Sequence, residues 1–195
     1  VVGHAEGRYV NRDTIKNDFQ KEMDDLSFET TDLAATLFND DGNFDRVHLK
    51  RGTGIWGSEL DKGNFLLIKR VVVEAKWRHK GLGKAIVEAF VKKGCQWAKD
   101  IRFVFTTPAQ VYSSETNSEQ KRMSPQARRA AIAANCHRAI AFWRSLGYRR
   151  IGTSTWFGTA LEAGHKVHEL ASDSDYNPPE REEVLSLEYK DGVAL

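Results

Sequence analysis

Between Arg78 and Lys84 the chain reads Arg-His-Lys-Gly-Leu-Gly-Lys, a short run of cations and glycines set close behind Val71-Val72-Val73. Residues of these types at this spacing suit the holding of phosphate. The first N–H groups of a helix have no partner within it, and the helix dipole adds positive potential at the same point. Gly81 and Gly83 let an anion approach the backbone with no Cβ in the way. Arg78, His79, Lys80 and Lys84 add local positive charge. A buried strand that feeds such a turn, with an amphipathic helix opening behind it, makes a diphosphate cradle. Spacing excludes two other phosphate loops. A Walker loop needs four residues between its glycines and Ser or Thr after the lysine, whereas Leu82 alone separates Gly81 from Gly83 and Ala85 follows Lys84. A dinucleotide fingerprint needs a third glycine and a later acidic partner, and this stretch does not fit that pattern.

The elements that must position this loop follow from periodicity. Phe65–Val73 reads as a central strand covered on both faces. From Lys84 to about Lys99 a helix is expected, with Ala85, Ile86, Ala89, Phe90 and Trp97 sharing its buried face. Ile101–Thr106 is the next buried strand. Ser124 and Pro125 open a helix as N-cap and first residue, and Gly147 closes it. Tyr148–Phe157 alternates as a strand. Upstream, Val1–Val10 looks extended. Ile15, Phe19, Met23 and Leu26 form one stripe on a charged helix, and Leu33–Phe38 with Phe44–Leu49 reads as a hairpin around Asp41-Gly42. The order predicts an α/β sandwich of mixed sheet and flanking helices.

Arg78-x-x-Gly81-x-Gly83, placed between a valine-rich strand and a helix, resembles the pyrophosphate signature of the GNAT superfamily of N-acetyltransferases. Ala139–Tyr148 is similar to the family's later helix and the strand after it. Together the two motifs span roughly Phe65 to Phe157. The resemblance implies a GNAT-like sheet, mixed but mostly antiparallel, splayed in the middle and flanked by helices. It implies a single domain over residues 1–165, followed by a polar tail or linker over 166–195 with room for a late strand at Val184–Tyr189. It implies acetyl-CoA as co-substrate, its pantetheine arm along Val71, Val72 and Val73 and its pyrophosphate on Arg78, His79, Lys80, Gly81, Leu82, Gly83 and Lys84. A primary amine would then attack the acetyl carbonyl directly in a ternary complex.

The acid and base are not assigned by that pattern. Where many family members carry a glutamate on the long strand, this chain has Lys69 and Arg70, neither a base at neutral pH without strong desolvation. Glu59 and Glu74 are the nearby carboxylates. Where many members place a tyrosine in the later helix, this chain has Trp143, whose indole cannot supply the proton; Tyr148, Tyr112 and His137 are the alternatives. These departures keep open a second reading, a catalytically silent acyl-CoA-binding regulatory module. Gln120–Arg129, within the long connection 109–134, is read either as a lid over the acceptor or as a solvated helix start.

Composition bounds the rest. The chain has 195 residues, 41% hydrophobic and 29% charged, which suits one globular domain. A net charge of +2 gives no general footprint for nucleic acid, and no apolar run reaches membrane-spanning length. Cys95 and Cys136 form neither a metal-type pair nor a disulfide framework, so no metal is expected. The two separated cysteines read as reduced thiols of an intracellular, cytoplasmic protein, and the opening at Val1, with no methionine and no signal-peptide pattern, reads as that of a trimmed chain or an excised domain. The acceptor amine and the oligomeric state have no signature.

Overall fold

Asn64–Val73 (β2), rich in β-branched and apolar side chains, is the strand around which the rest is laid. In the computed structural model, which describes residues 2–15, 18–109 and 121–178, β2 pairs antiparallel with Gly3–Val10 (β1) and parallel with Ile101–Thr106 (β3). β3 continues antiparallel to Phe157–Ala160 (β5), and β5 to the short Arg149–Arg150 (β4). The result is a five-stranded mixed sheet in the order β1-β2-β3-β5-β4. The parallel pair is joined by the helix Leu82–Trp97 (α3), as a parallel connection requires.

Alternation along the strands makes two cores. Phe65, Leu67, Phe103 and Phe105 point to one face, where they meet Phe19–Asp24 (α1), Phe28–Leu37 (α2) and Trp156. Leu66, Ile68 and Val104 point to the other, where they meet Val87 of α3 and Ile140 and Trp143 of Pro125–Ser145 (α4). The protein is therefore α/β with helices on both faces of a mixed sheet.

Several sequence expectations change here. Leu33–Phe38 lies mostly within the helix α2, capped by Ser27, whose side chain accepts from Thr30 N; of the expected hairpin a single bridge, Phe38 to Phe44, remains. Leu33 and Leu37 stand four apart and share the core face, a helical spacing that the run of apolar letters conceals. The stripe Ile15, Phe19, Met23 and Leu26 does pack on the core, but across a 3-10 turn at Arg12–Thr14 and the separate helix α1. On α3 the buried position is Val87, while Trp97 is 79% exposed because the helix end overhangs the sheet edge beside Tyr9. Tyr148–Phe157 is broken by a turn at Gly152 (φ +58°) into β4 and β5. The glycines of β1 have a packing reason: a Cβ at Gly7 would lie 2.3 Å from the Leu67 carbonyl oxygen and 2.8 Å from the Phe90 ring of α3.

Residues 166–178, expected in the polar tail, lie against the fold. Val167 has no exposed surface, and the buried Asp175 accepts from Arg144 Nε (2.8 Å) and Arg150 N (3.2 Å). The suggested strand Val184–Tyr189 and Tyr112 fall outside the described residues. Among the described residues no helix is long and apolar enough to cross a membrane.

Candidate functional site

Two departures from regular pairing shape the C-terminal end of β2. Glu6 of β1 pairs with Arg70 and Gly7 with Ile68, so Lys69 is an extra residue, a β-bulge in β2. On the other side β3 pairs only as far as Ile68 with Thr106, whose hydroxyl donates to the Ile68 carbonyl (3.1 Å). Beyond the bulge Val71, Val72 and Val73 pair with β1 alone. β3 itself ends at Thr106, so the stretch of β2 beyond the bulge has no strand on that side among the described residues.

The turn after Val73 follows directly on this one-sided stretch of strand. Ala75–Trp77 forms a 3-10 turn, and Arg78 Nε donates to the Val73 carbonyl (3.0 Å), tying the loop to the strand end. His79 then takes a left-handed conformation (φ +59°), which costs a residue with a Cβ about 1 kcal/mol. Gly81 follows at φ +77° as the N-cap of α3 and supplies no side-chain cap. The first-turn N–H groups of α3 thus have no capping side chain from Gly81, and an added Cβ at Gly81 would meet nothing within 4 Å. Gly83, one turn position on, packs differently: a Cβ there would stand 3.1 Å from the Phe142 ring of α4.

Charge gathers around these donors. Arg78, His79, Lys80 and Lys84 are all exposed. Lys80 Nζ lies over the Trp77 ring at 4.8 Å, and Lys84 approaches Glu88 at 3.8 Å. Uncapped backbone donors, a positive helix end and surrounding cations are the parts from which the expected anion cradle would be built. The open space at Gly81 suits a phosphate that must reach the backbone.

Of the candidate acid–base residues only Glu74 belongs to this turn, as the residue that opens the 3-10 turn at Ala75. Tyr148 is buried against Trp143 (ring centroids 4.9 Å), and burial pushes its phenol well above its ordinary pKa. Trp143 itself is core, 6% exposed. His137 is exposed on α4, beside the buried Cys136. Glu59 lies in the turn Ser58–Asp61 before β2, accepts from Gly57 N (2.7 Å) and stands 3.4 Å from His165 Nε2. That places it at the opposite end of β2 from the cradle. Glu74 pairs with Lys76 at 3.5 Å.

Sequence reasoning missed three participants. Lys69 was read by its charge, yet its distinguishing property is its place in the bulge. Its ammonium contacts Glu29 of α2 (3.1 Å) and Glu6 (3.9 Å). Burial opposes ionisation of Glu29, but its backbone hydrogen bond and Lys69 outweigh it and hold the carboxyl below its ordinary value. Phe142 is the third: the Phe142-Trp143 pair is visible in sequence, but not which ring meets Gly83.

A separate concavity, lined by Asn39, Phe44, Arg46, Ser58 and Asp61, lies toward the N-terminal end of β2. It belongs to a closed turn, since Asp61 Oδ1 accepts from Phe44 N (2.8 Å). Among the described residues no group of three His, Cys, Asp or Glu side chains is placed to hold a metal ion. Of the connection 109–134, residues 110–120 lie outside the described structure, and α4 begins at Pro125 with Ser124 as its cap. Compared with known proteins, the chain matches no protein-family model and no curated sequence.

Proposed function

We propose that this chain binds acetyl-coenzyme A at the α3 start and transfers the acetyl group to a primary amine, as an N-acetyltransferase of the GNAT type. The observation that carries the reading is the coincidence of the Lys69 bulge, the end of β2–β3 pairing and the uncapped helix at Gly81. A pantetheine arm is an extended chain with amide groups, and the edge of Val71–Val73 beyond β3 suits it as a strand partner. The diphosphate would sit on the N–H groups of Leu82, Gly83 and Lys84, with Arg78, His79 and Lys80 around it. The amine nitrogen attacks the acetyl carbonyl carbon, the carbonyl oxygen takes up negative charge, and the C–S bond breaks to release the thiolate. A backbone N–H near Val73 would stabilise that oxygen. Holding the two reactants together lowers the barrier by about 7 to 11 kcal/mol at best. The ammonium proton passes to water on this reading, in which no side chain is assigned as base.

A second reading rests on Trp143 and Lys69-Arg70, which stand where the family pattern has an acid and a base: a silent acyl-CoA-binding module. One experiment separates both from failure. Acetyl-CoA at about 100 times its dissociation constant adds about 2.7 kcal/mol of stability, a rise in melting temperature of roughly 5 to 10 °C at this size. Gly83→Asp, which places a carboxylate among the cradle donors, is expected to abolish the rise. No rise in the folded parent defeats both readings. A rise with no amine-dependent release of free thiol leaves the silent module.

A further inference from the structure

β1 and β4 are the two edges of the sheet, and the fold treats them differently. The outer side of β4 is covered by residues 170–176. Asp175 accepts from Arg150 N, Arg149 Nε donates to the Leu170 carbonyl (2.8 Å), and Arg144 donates to the Tyr176 carbonyl (2.8 Å). β1 is the longer edge, eight residues without proline. Among the described residues no strand pairs with its outer side. An edge about 27 Å long that no described strand covers is a template for another strand.

Its sequence is complementary to itself. Two β1 strands paired antiparallel about a two-fold axis at Gly7 set Glu6 opposite Arg8 of the second copy, and Arg8 opposite its Glu6. Ala5 then meets Tyr9. Opposite charges in directly facing positions stabilise a strand pair. A slip of the axis by one residue in either direction sets Glu6 against Glu6 or Arg8 against Arg8, so the wrong registers are penalised. Glu6 already meets Arg70 (2.7 Å) and Lys69 (3.9 Å), and its side chain, 48% exposed, leaves a carboxylate face open to a further cation. Arg8 is half-buried, and no acid among the described residues stands within ion-pair distance of it.

The other face of the same edge agrees. Trp97, 79% exposed, stands edge-on to Tyr9 with centroids 5.9 Å apart. α3 packs on both β1 and β2, so the two-fold axis sets the helices of two copies side by side. With strands about 4.8 Å apart, their separation is about 10 Å, the distance of packed helices.

We infer that this protein forms a two-fold dimer through the outer edge of β1, with Glu6–Arg8 pairs on either side of the axis. Sedimentation velocity over a concentration series, with thermal unfolding to verify folding, tests it. The parent is expected to dimerise. Arg8→Glu sets carboxylate against carboxylate and Glu6→Arg sets cation against cation, so each variant alone is expected to be monomeric. Mixing the two restores opposite charges at every facing position and is expected to recover a heterodimer. Trp97→Lys, which leaves both charges in place, is expected to weaken dimerisation at least tenfold. A parent that stays monomeric overturns the inference, as does a mixture that stays monomeric. Should Glu6→Arg fail to fold, dimerisation of both Arg8→Glu and Trp97→Lys at the parent's strength overturns it equally.

Discussion

The two ends of β2 are built on different terms. At the N-terminal end, side chains take up what the strand and its neighbours leave over. Asn64 accepts from Arg12 N (2.6 Å) and donates to Asp13 (3.1 Å) and Asp100 (2.5 Å), joining three segments. The Arg12 guanidinium donates to the carbonyls of Leu60 (2.6 Å), Asp61 (2.8 Å) and Gly42, and lies over the Phe38 ring at 4.9 Å. At the C-terminal end the helix start has no side-chain cap, β3 has stopped pairing, and the cations are exposed. On the proposed reading the open end serves a ligand, while the side chains of the closed end hold the sheet together. Stability and binding are therefore expected to separate along β2.

The largest expected effect breaks the closed end. Burial pulls the Arg12 guanidinium down to about 10, against the opposing pull of Asp61 and Asp13, so it remains charged at neutral pH. Arg12→Ala strands several carbonyl acceptors and is expected to cost about 3 kcal/mol, or roughly 6 to 12 °C in melting temperature. The rise produced by acetyl-CoA should persist in the protein that remains folded. A variant as stable as the parent but unable to respond to acetyl-CoA would reverse the assignment of the two ends.

At the open end the expected effect is smaller and falls on binding. Arg78 has one hydrogen bond to its own strand end, at Val73, and is otherwise exposed. Arg78→Ala should leave the unliganded melting temperature nearly unchanged while weakening acetyl-CoA about tenfold, the scale of one charge-assisted contact. At the concentration that stabilises the parent by about 2.7 kcal/mol, the variant should gain about 1.4 kcal/mol. Equal rises in parent and variant would remove Arg78 from the cradle.

What the sequence makes legible follows the same division. β2, α3, β3 and α4 can be read because each carries a continuous pattern with its own punctuation. Ser124 does accept from Ala127 N, and Gly147 does take φ +86° after α4. The cradle residues are contiguous, so their grouping needs no tertiary contact. The closed end is assembled from Arg12, Gly42, Asp61, Asn64 and Asp100, which no local pattern links. The polar stretch to Pro178 misleads for a related reason: Asp175 is buried only because Arg144 and Arg150 arrive from elsewhere. The bulge at Lys69 is invisible because register belongs to two strands rather than to one.

The smallest expected effect sharpens the comparison through pH. Tyr9 donates to both carboxylate oxygens of Asp100 (2.9 and 2.8 Å) at the closed end. Burial first, and then the Asp100 carboxylate, push the Tyr9 phenol up to about 12, while the same hydrogen bond holds Asp100 below the usual carboxylate range. A tyrosine raised above its unfolded value near 10 contributes stability that is complete below about pH 10 and lost as pH rises toward its folded value. A depressed aspartate contributes stability present above its unfolded value near 3.9 and lost as pH falls through its folded value. Tyr9→Phe keeps the ring contact with Trp97 and removes the hydroxyl that links the two groups. The parent's advantage in urea unfolding should therefore be full between about pH 4 and pH 10 and close toward pH 12. It should also close on the acid side, and throughout it should stay below the cost of Arg12→Ala. An advantage that does not change between pH 7 and pH 12 would show that the hydroxyl bonds contribute nothing to holding this end shut, leaving Asn64 and Arg12 to do so alone.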